Sequence, residues 1–343
     1  MFVTNRRLLR SDLRTLLLIL LIVASSPALT LAQLGGKPEK SNFTLSYTQA
    51  SGAFTPLWVA QEAGLFKKHG IDGTLKILNS QVAHQALVAG ELDVISTGPE
   101  LVNARLQGVP VKYIGGTLQR FVFQLWGGKG VKSLADLKGK TIAATTPKPS
   151  TEIATREALK KTAVISEKDV SFIYLQTIPA ILTAVINGNT AAGTLSAPNT
   201  LKARDAGLSL LIDIAQVNVP GFHLAYGTTE KTIKAYPNSL YAFLKAAAEA
   251  TLLAKQNPSL AKKAIAKYTD TEDAKIIDGT YEQFSPYWDA ALAAHSEPIQ
   301  GQLSYLDEKD FPRAKDARPA DFIDNSFADL LRSSGFLQGL GLK

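Results

Sequence analysis

The chain of 343 residues contains no cysteine. That excludes any disulfide framework, and it also removes the thiol to which a bacterial lipoprotein's lipid is attached. Histidine is scarce. His69, His84, His223 and His295 show no metal-type spacing and form no His-x-x-x-His pair on a helix, so no metal site is expected. There is no glycine-rich phosphate loop of the P-loop or dinucleotide type and no Gly-x-Ser-x-Gly elbow, so no cofactor and no catalytic residues are assigned. The apolar run Leu16–Ala24 falls well short of the roughly 20 residues that span a bilayer.

What is present is a composition of 45% apolar and 20% charged residues, that of a soluble globular protein long enough for two domains. Arg6, Arg7, Arg10 and Arg14 precede the apolar run, and Thr30, Leu31 and Ala32 close it with small residues. Residues 1–32 therefore read as a secretory signal peptide cleaved near Ala32, which places the mature protein outside the cytoplasmic membrane. Arg6 and Arg7 form a twin-arginine pair, but the strong apolar run favours general secretion. The segment carries net +3, so its loss lowers the formal charge from +7 to +4, and a nucleic-acid partner loses most of its support.

The most informative stretch runs from Leu45 to Ala63. An apolar strand ends near Gln49, the small residues Ser51, Gly52 and Ala53 turn the chain, and Pro56 suits a first helical turn. Such a turn aims backbone N–H groups and a partial positive charge at whatever lies above it. The unit recurs at Leu92–Glu100, with Thr97, Gly98 and Pro99 in the turn, and again at Thr141–Thr162 around Thr145–Thr151. Alternating strand-like runs and helical periodicity over the first two thirds predict an α/β protein with largely parallel sheets, and alanine-rich helices follow Gly227. One helix is expected over Thr55–His69, strands over Phe121–Leu125 and Phe222–Tyr226, and a domain crossover near Gly127–Gly130.

Four segments carry a family resemblance: PLWVAQEAGLFKKHGID (Pro56–Asp72), ALVAGELDVISTGPE (Ala86–Glu100), GVKSLADLKGKTIA (Gly130–Ala143) and YPNSLYAFLKA (Tyr236–Ala246). With them the chain resembles the nitrate, sulfonate and taurine class of periplasmic solute-binding proteins that serve ABC importers. The resemblance implies a type II two-lobe fold, each lobe a mostly parallel sheet flanked by helices, with a ligand cleft between them. Lobe I would comprise 41–126 plus 226–343, and lobe II 127–225. It further implies a monomer that delivers a small-molecule ligand to an ABC-type membrane permease.

Carried over position by position, the resemblance implies ligand contacts at Ser51, Gly52, Phe54, Gln81, Thr97, Gly98 and Glu100. In the second lobe the matching turn is Lys148, Pro149, Ser150, Thr151 and Glu152, followed by Ser196, Ala197 and Pro198. His223 lies where the chain crosses back. Lys148 and Glu152 stand where the family often shows a glycine and a histidine, and Glu100 and Glu152 add negative charge beside donors that would otherwise favour an anion. Each position also has a purely structural role open to it. Thr97 and Ser150 could cap helices, Glu100 could complement a helix dipole, Phe54 could plug a core, and His223 could pack in a strand.

The basic cluster Lys262, Lys263 and Lys267 reads as a solvated helical face. Two other functions remain open: an enzyme on the same scaffold, of thiamine-pyrimidine synthesis or desulfination type, whose cysteine or clustered histidine this chain lacks, and a secreted solute-sensing module.

Overall fold

The computed structural model describes residues 34–147, 150–307 and 309–342. The expected signal peptide, Lys148 and Pro149 lie outside the described residues. Ten strands occur in the order β1 (Asn42–Tyr47), β2 (Asp72–Ile77), β3 (Val94–Thr97), β4 (Val111–Arg120), β5 (Gln124–Gly127), β6 (Thr141–Ala144), β7 (Ser171–Tyr174), β8 (Ala192–Leu195), β9 (Ser209–Asp213) and β10 (Pro220–Thr229). They form two five-stranded sheets, ordered β2-β1-β3-β10-β4 and β7-β6-β8-β5-β9.

Both sheets are mixed. β10 runs antiparallel to β3 and β4, β5 runs antiparallel to β8 and β9, and the other observed pairings are parallel. The reversed strand is in each case the first one after the chain changes sheet, because it enters from the opposite lobe. The chain consequently changes sheet between β4 and β5 and between β9 and β10, near the lobe boundaries of 126/127 and 225/226 expected from the sequence. β5 completes before Gly128 and belongs to the second sheet, while β10 extends the expected Phe222–Tyr226 strand at both ends and lies wholly in the first.

The helices are α1 (Thr55–Glu62), α2 (Leu65–Lys68), α3 (Ser80–Ala89), α4 (Glu100–Leu106), α5 (Ser150–Thr162), α6 (Ile178–Ile186), α7 (Asn199–Asp205), α8 (Glu230–Ala235), α9 (Pro237–Gln256), α10 (Pro258–Thr269), α11 (Ala274–Phe284), α12 (Glu297–Tyr305), α13 (Ser326–Ser333) and α14 (Phe336–Gly339). The single helix expected over Thr55–His69 is broken at Gly64, whose φ of 66° is a left-handed conformation that glycine adopts without steric penalty. Lys67 and Lys68 end α2, where cations complement the helix C-terminus.

α9 explains how the first lobe is covered. Leu240, Phe243, Leu244, Ala247, Thr251 and Ala254 recur at helical spacing and are all buried, and the helix packs on α1 and α2. Phe243 stacks near Phe43 and Phe66 at 5.9 and 6.4 Å and meets Tyr226 edge-on at 4.9 Å. Burying such a ring contributes about 1.5–3 kcal/mol. Of the basic cluster, Lys267 pairs with Glu62 at 2.9 Å and Lys262 with Asp278 at 2.9 Å, so α10 is tied to α1 and α11 by exposed ion pairs. Among the described residues, no helix is long and apolar enough to cross a membrane.

Candidate functional site

Strand ends and helix starts from both sheets converge on one cleft of about 630 Å³. From the first lobe come Thr48 and Gln49 after β1, Phe54 in the 3-10 turn Gly52–Phe54, and Asn79, Ser80, Gln81 and His84 at the start of α3. Ser96, Thr97 and Gly98 follow at the end of β3, and Glu100, Asn103 and Ala104 come from α4 with Gln107 at its C-terminal cap. The second lobe supplies Thr145 and Thr146 after β6, Ser150 and Thr151 at the start of α5, and Gln176 and Thr177 between β7 and α6. Phe123 lines it from the segment between β4 and β5, and His223 and Leu224 from the start of β10.

Local hydrogen bonding decides which of these groups face a solute. Asn79 caps α3 by accepting the Val82 N–H at 3.0 Å, and Thr177 caps α6 by accepting the Ala180 N–H at 3.3 Å. The Thr151 hydroxyl accepts the Thr145 N–H at 3.1 Å and so holds its own turn. Thr97 has no cap role: α4 begins at Glu100 with Pro99 before it, and Thr97 Oγ1 instead lies 3.4 Å from His84 Nε2. His84 donates from Nδ1 to the Ser80 carbonyl at 2.7 Å.

His223 sits on the crossover strand with its ring 4.3 Å from that of Phe123 and edge-on to Phe284 at 5.6 Å. Its Nδ1 accepts the Val122 N–H at 3.0 Å, which leaves the ring proton on Nε2. Burial lowers its pKa to about 3, so near neutrality it is an uncharged donor.

Glu100 folds back over Gly98. A Cβ at Gly98 would stand 2.9 Å from Glu100 Oε2 and 3.1 Å from the Phe222 carbonyl, so a side chain there would displace the Glu100 carboxylate. The Tyr113 hydroxyl donates to the Gly98 carbonyl at 2.6 Å, and its pKa is raised by burial and by the Glu100 charge. Glu100 itself makes no hydrogen bond or ion pair among the described residues. Among the described residues it is the one carboxylate in the cleft lining.

Phe54, Gln81, Thr97, Gly98, Glu100, Ser150, Thr151 and His223 are thus brought to one cleft, whereas Ser51, Gly52, Glu152, Ser196, Ala197 and Pro198 stand outside its lining. Ser51, Gly52 and Ser196, with the Ala197 carbonyl, belong to a contact between the lobes, and Pro198 leads into α7. Ser51 Oγ lies 3.4 Å from Ser196 Oγ and donates to the Ala197 carbonyl at 3.3 Å, and the Gly52 N–H reaches the same carbonyl. Glu152 turns into its own lobe, accepting from Arg156 Nε at 2.8 Å and from the Tyr174 hydroxyl at 2.9 Å. The sequence reasoning missed Asn103 and Gln107, although they follow Glu100 at helical spacing, and Gln176 and Thr177, which form the turn of a further strand, turn and helix unit.

Two mixed sheets enclosing a polar cleft define the class: this is the two-lobe α/β fold of periplasmic binding proteins. A chain from Bordetella bronchiseptica RB50 superposes with a TM-score of 0.73 at 20% identity, over 89% of this chain and 100% of that one. The alkanesulfonate-binding protein of Xanthomonas axonopodis pv. citri, solved with MOPS, gives 0.69 at 17% identity, over 84% and 99%. A family model described as NMT1/THI5 like matches residues 51–261, and the chain belongs to that family. A Brucella abortus protein named as a binding protein is 35% identical over 89 residues, 24% of this chain and 26% of that relative, so the match spans about a quarter of the relative's length.

Proposed function

We propose that this chain is the extracytoplasmic solute-binding component of an ABC importer. It captures a small polar organic solute, of sulfonate, taurine, nitrate-like or related type, between its lobes and delivers it to a membrane permease. The observation that carries the reading is a polar cleft built from both sheets, with the described chain crossing at 121–123 and 214–219 between the strands of one sheet and those of the other. Those crossings are the natural hinge about which two sheets close on a solute. In this reading lobe I holds β1–β4 and β10 with the C-terminal helices, lobe II holds β5–β9, and residues 1–32 direct the chain to the periplasm, where it acts as a monomer.

Binding, with no bond made or broken, is the whole activity. Thermal-shift and calorimetric titrations against sulfonates, nitrate, amino acids, pyrimidines and aromatic carboxylates test it. A saturable single-site ligand that raises Tm and is recovered unchanged by mass spectrometry is the expected result. Silence across the panel, or conversion of a bound compound, overturns it.

A further inference from the structure

We propose that the cleft selects a solute bearing a positive charge, an ammonium or amidinium on a small frame with oxygen acceptors, and that Glu100 is the group that reads the charge. The proposal rests on the receptor reading above and turns it away from the purely anionic members of its solute range toward those that carry a cation, as taurine does. Its starting observation is the Glu100 carboxylate, which stands in the lining beside neutral hydroxyls and amides and makes no hydrogen bond or ion pair among the described residues.

A half-buried carboxylate without a hydrogen bond or ion pair among the described residues keeps its acceptor capacity for a bound solute. An incoming cation supplies the missing partner through charge-assisted hydrogen bonds, which are shorter and stronger than neutral ones. An anion placed in the same cleft would meet like charge.

The rest of the wall agrees with an oxygen-bearing frame. Asn103 accepts the Gln302 amide at 3.0 Å through Oδ1, which orients its own NH2 as a donor one turn from Glu100. His223 offers a neutral N–H from Nε2, which makes no hydrogen bond among the described residues. The cleft thus pairs a cation acceptor on α4 with neutral donors for oxygen atoms. Thr97 Oγ1, 3.4 Å from His84 Nε2, adds a hydroxyl to the same wall.

Matched probes differing in charge test this: ethanolamine, taurine and 2-hydroxyethanesulfonate as one set, and benzamidine, benzamide and benzoate as another, each titrated by thermal shift and calorimetry. Ammonium- or amidinium-bearing members should bind, and 2-hydroxyethanesulfonate and benzoate should not. Glu100→Gln, nearly isosteric and checked for an unchanged melting profile without ligand, should weaken the cationic members by about tenfold to a hundredfold and leave benzamide unaffected. Binding confined to the anions, or cation affinity unchanged in Glu100→Gln, overturns the charge assignment and leaves the receptor reading standing. Silence of both sets overturns the charge assignment, and silence of the wider panel as well overturns the receptor reading.

Discussion

The backbone N–H of Gly52 reaches the carbonyl of Ala197 at 3.3 Å, joining the first turn of one lobe to the second lobe. Gly52 is there because nothing larger fits. A Cβ would fall 2.5 Å from Thr280 Cγ2 and 2.7 Å from Phe284 Cδ2. Gly52→Ala should therefore destabilise the protein by about 1–3 kcal/mol through overpacking, read as a lower midpoint in urea with an unchanged slope.

Asp93 is a buried carboxylate that accepts from Lys40 Nζ at 2.7 and 2.9 Å and from the Thr44 N–H at 2.8 Å. It fastens the segment before β1 to the strand beside it. Asp93→Ala leaves the Thr44 N–H without its acceptor and Lys40 without its counter-ion. A loss of about 2–4 kcal/mol in denaturant unfolding is expected, and a loss under 0.5 kcal/mol would contradict the role.

His223 gives stability a pH dependence of known sign. Its folded pKa, lowered to about 3, lies below the roughly 6.5 of an unfolded chain, so between those values the unfolded state binds the extra proton. The contribution is complete above about pH 6.5 and is lost as pH falls toward 3, by roughly 1.4 kcal/mol per pH unit crossed. Unfolding free energies at pH 7.5 and pH 5 should differ less in His223→Gln than in the parent protein, since one proton is removed from the balance.

Phe54 lines the cleft and its ring centroid lies 6.4 Å from that of the buried Trp58, which stacks on Tyr268 at 5.0 Å. A solute that shifts Phe54 therefore alters the surroundings of a fluorophore. Ligand saturation should change the tryptophan emission of the parent protein and of Trp288→Phe, and the change should vanish in Trp58→Phe.

Much of the architecture was legible because it rests on local signals. Pro56, Gly90 and the strand runs around Leu45 and Val94 announce their elements through backbone preference and hydrophobic period. The break at Gly64 was less visible, since the apolar spacing of Leu57, Ala60 and Leu65 continues across it and one glycine is tolerated inside a helix. The reversal of β5 and β10 could not be read at all, because strand direction depends on which sheet a segment joins. The site divided along the same line. Thr97 and Glu100 were found from their turn, but whether Glu152 faces solute or Arg156 is set by a side-chain partner one helical turn away, and the sequence allows both.

The placement of β10 between β3 and β4 bears on the order in which the lobes can be built. β4 is synthesised about a hundred residues before the strand that joins it to its neighbours, so the first sheet stays split until Thr229 has been made. All five strands of the second sheet are already available by Asp213. A chain growing from its N-terminus thus has the later lobe's sheet in hand first, and the earlier lobe closes around a strand that arrives from it.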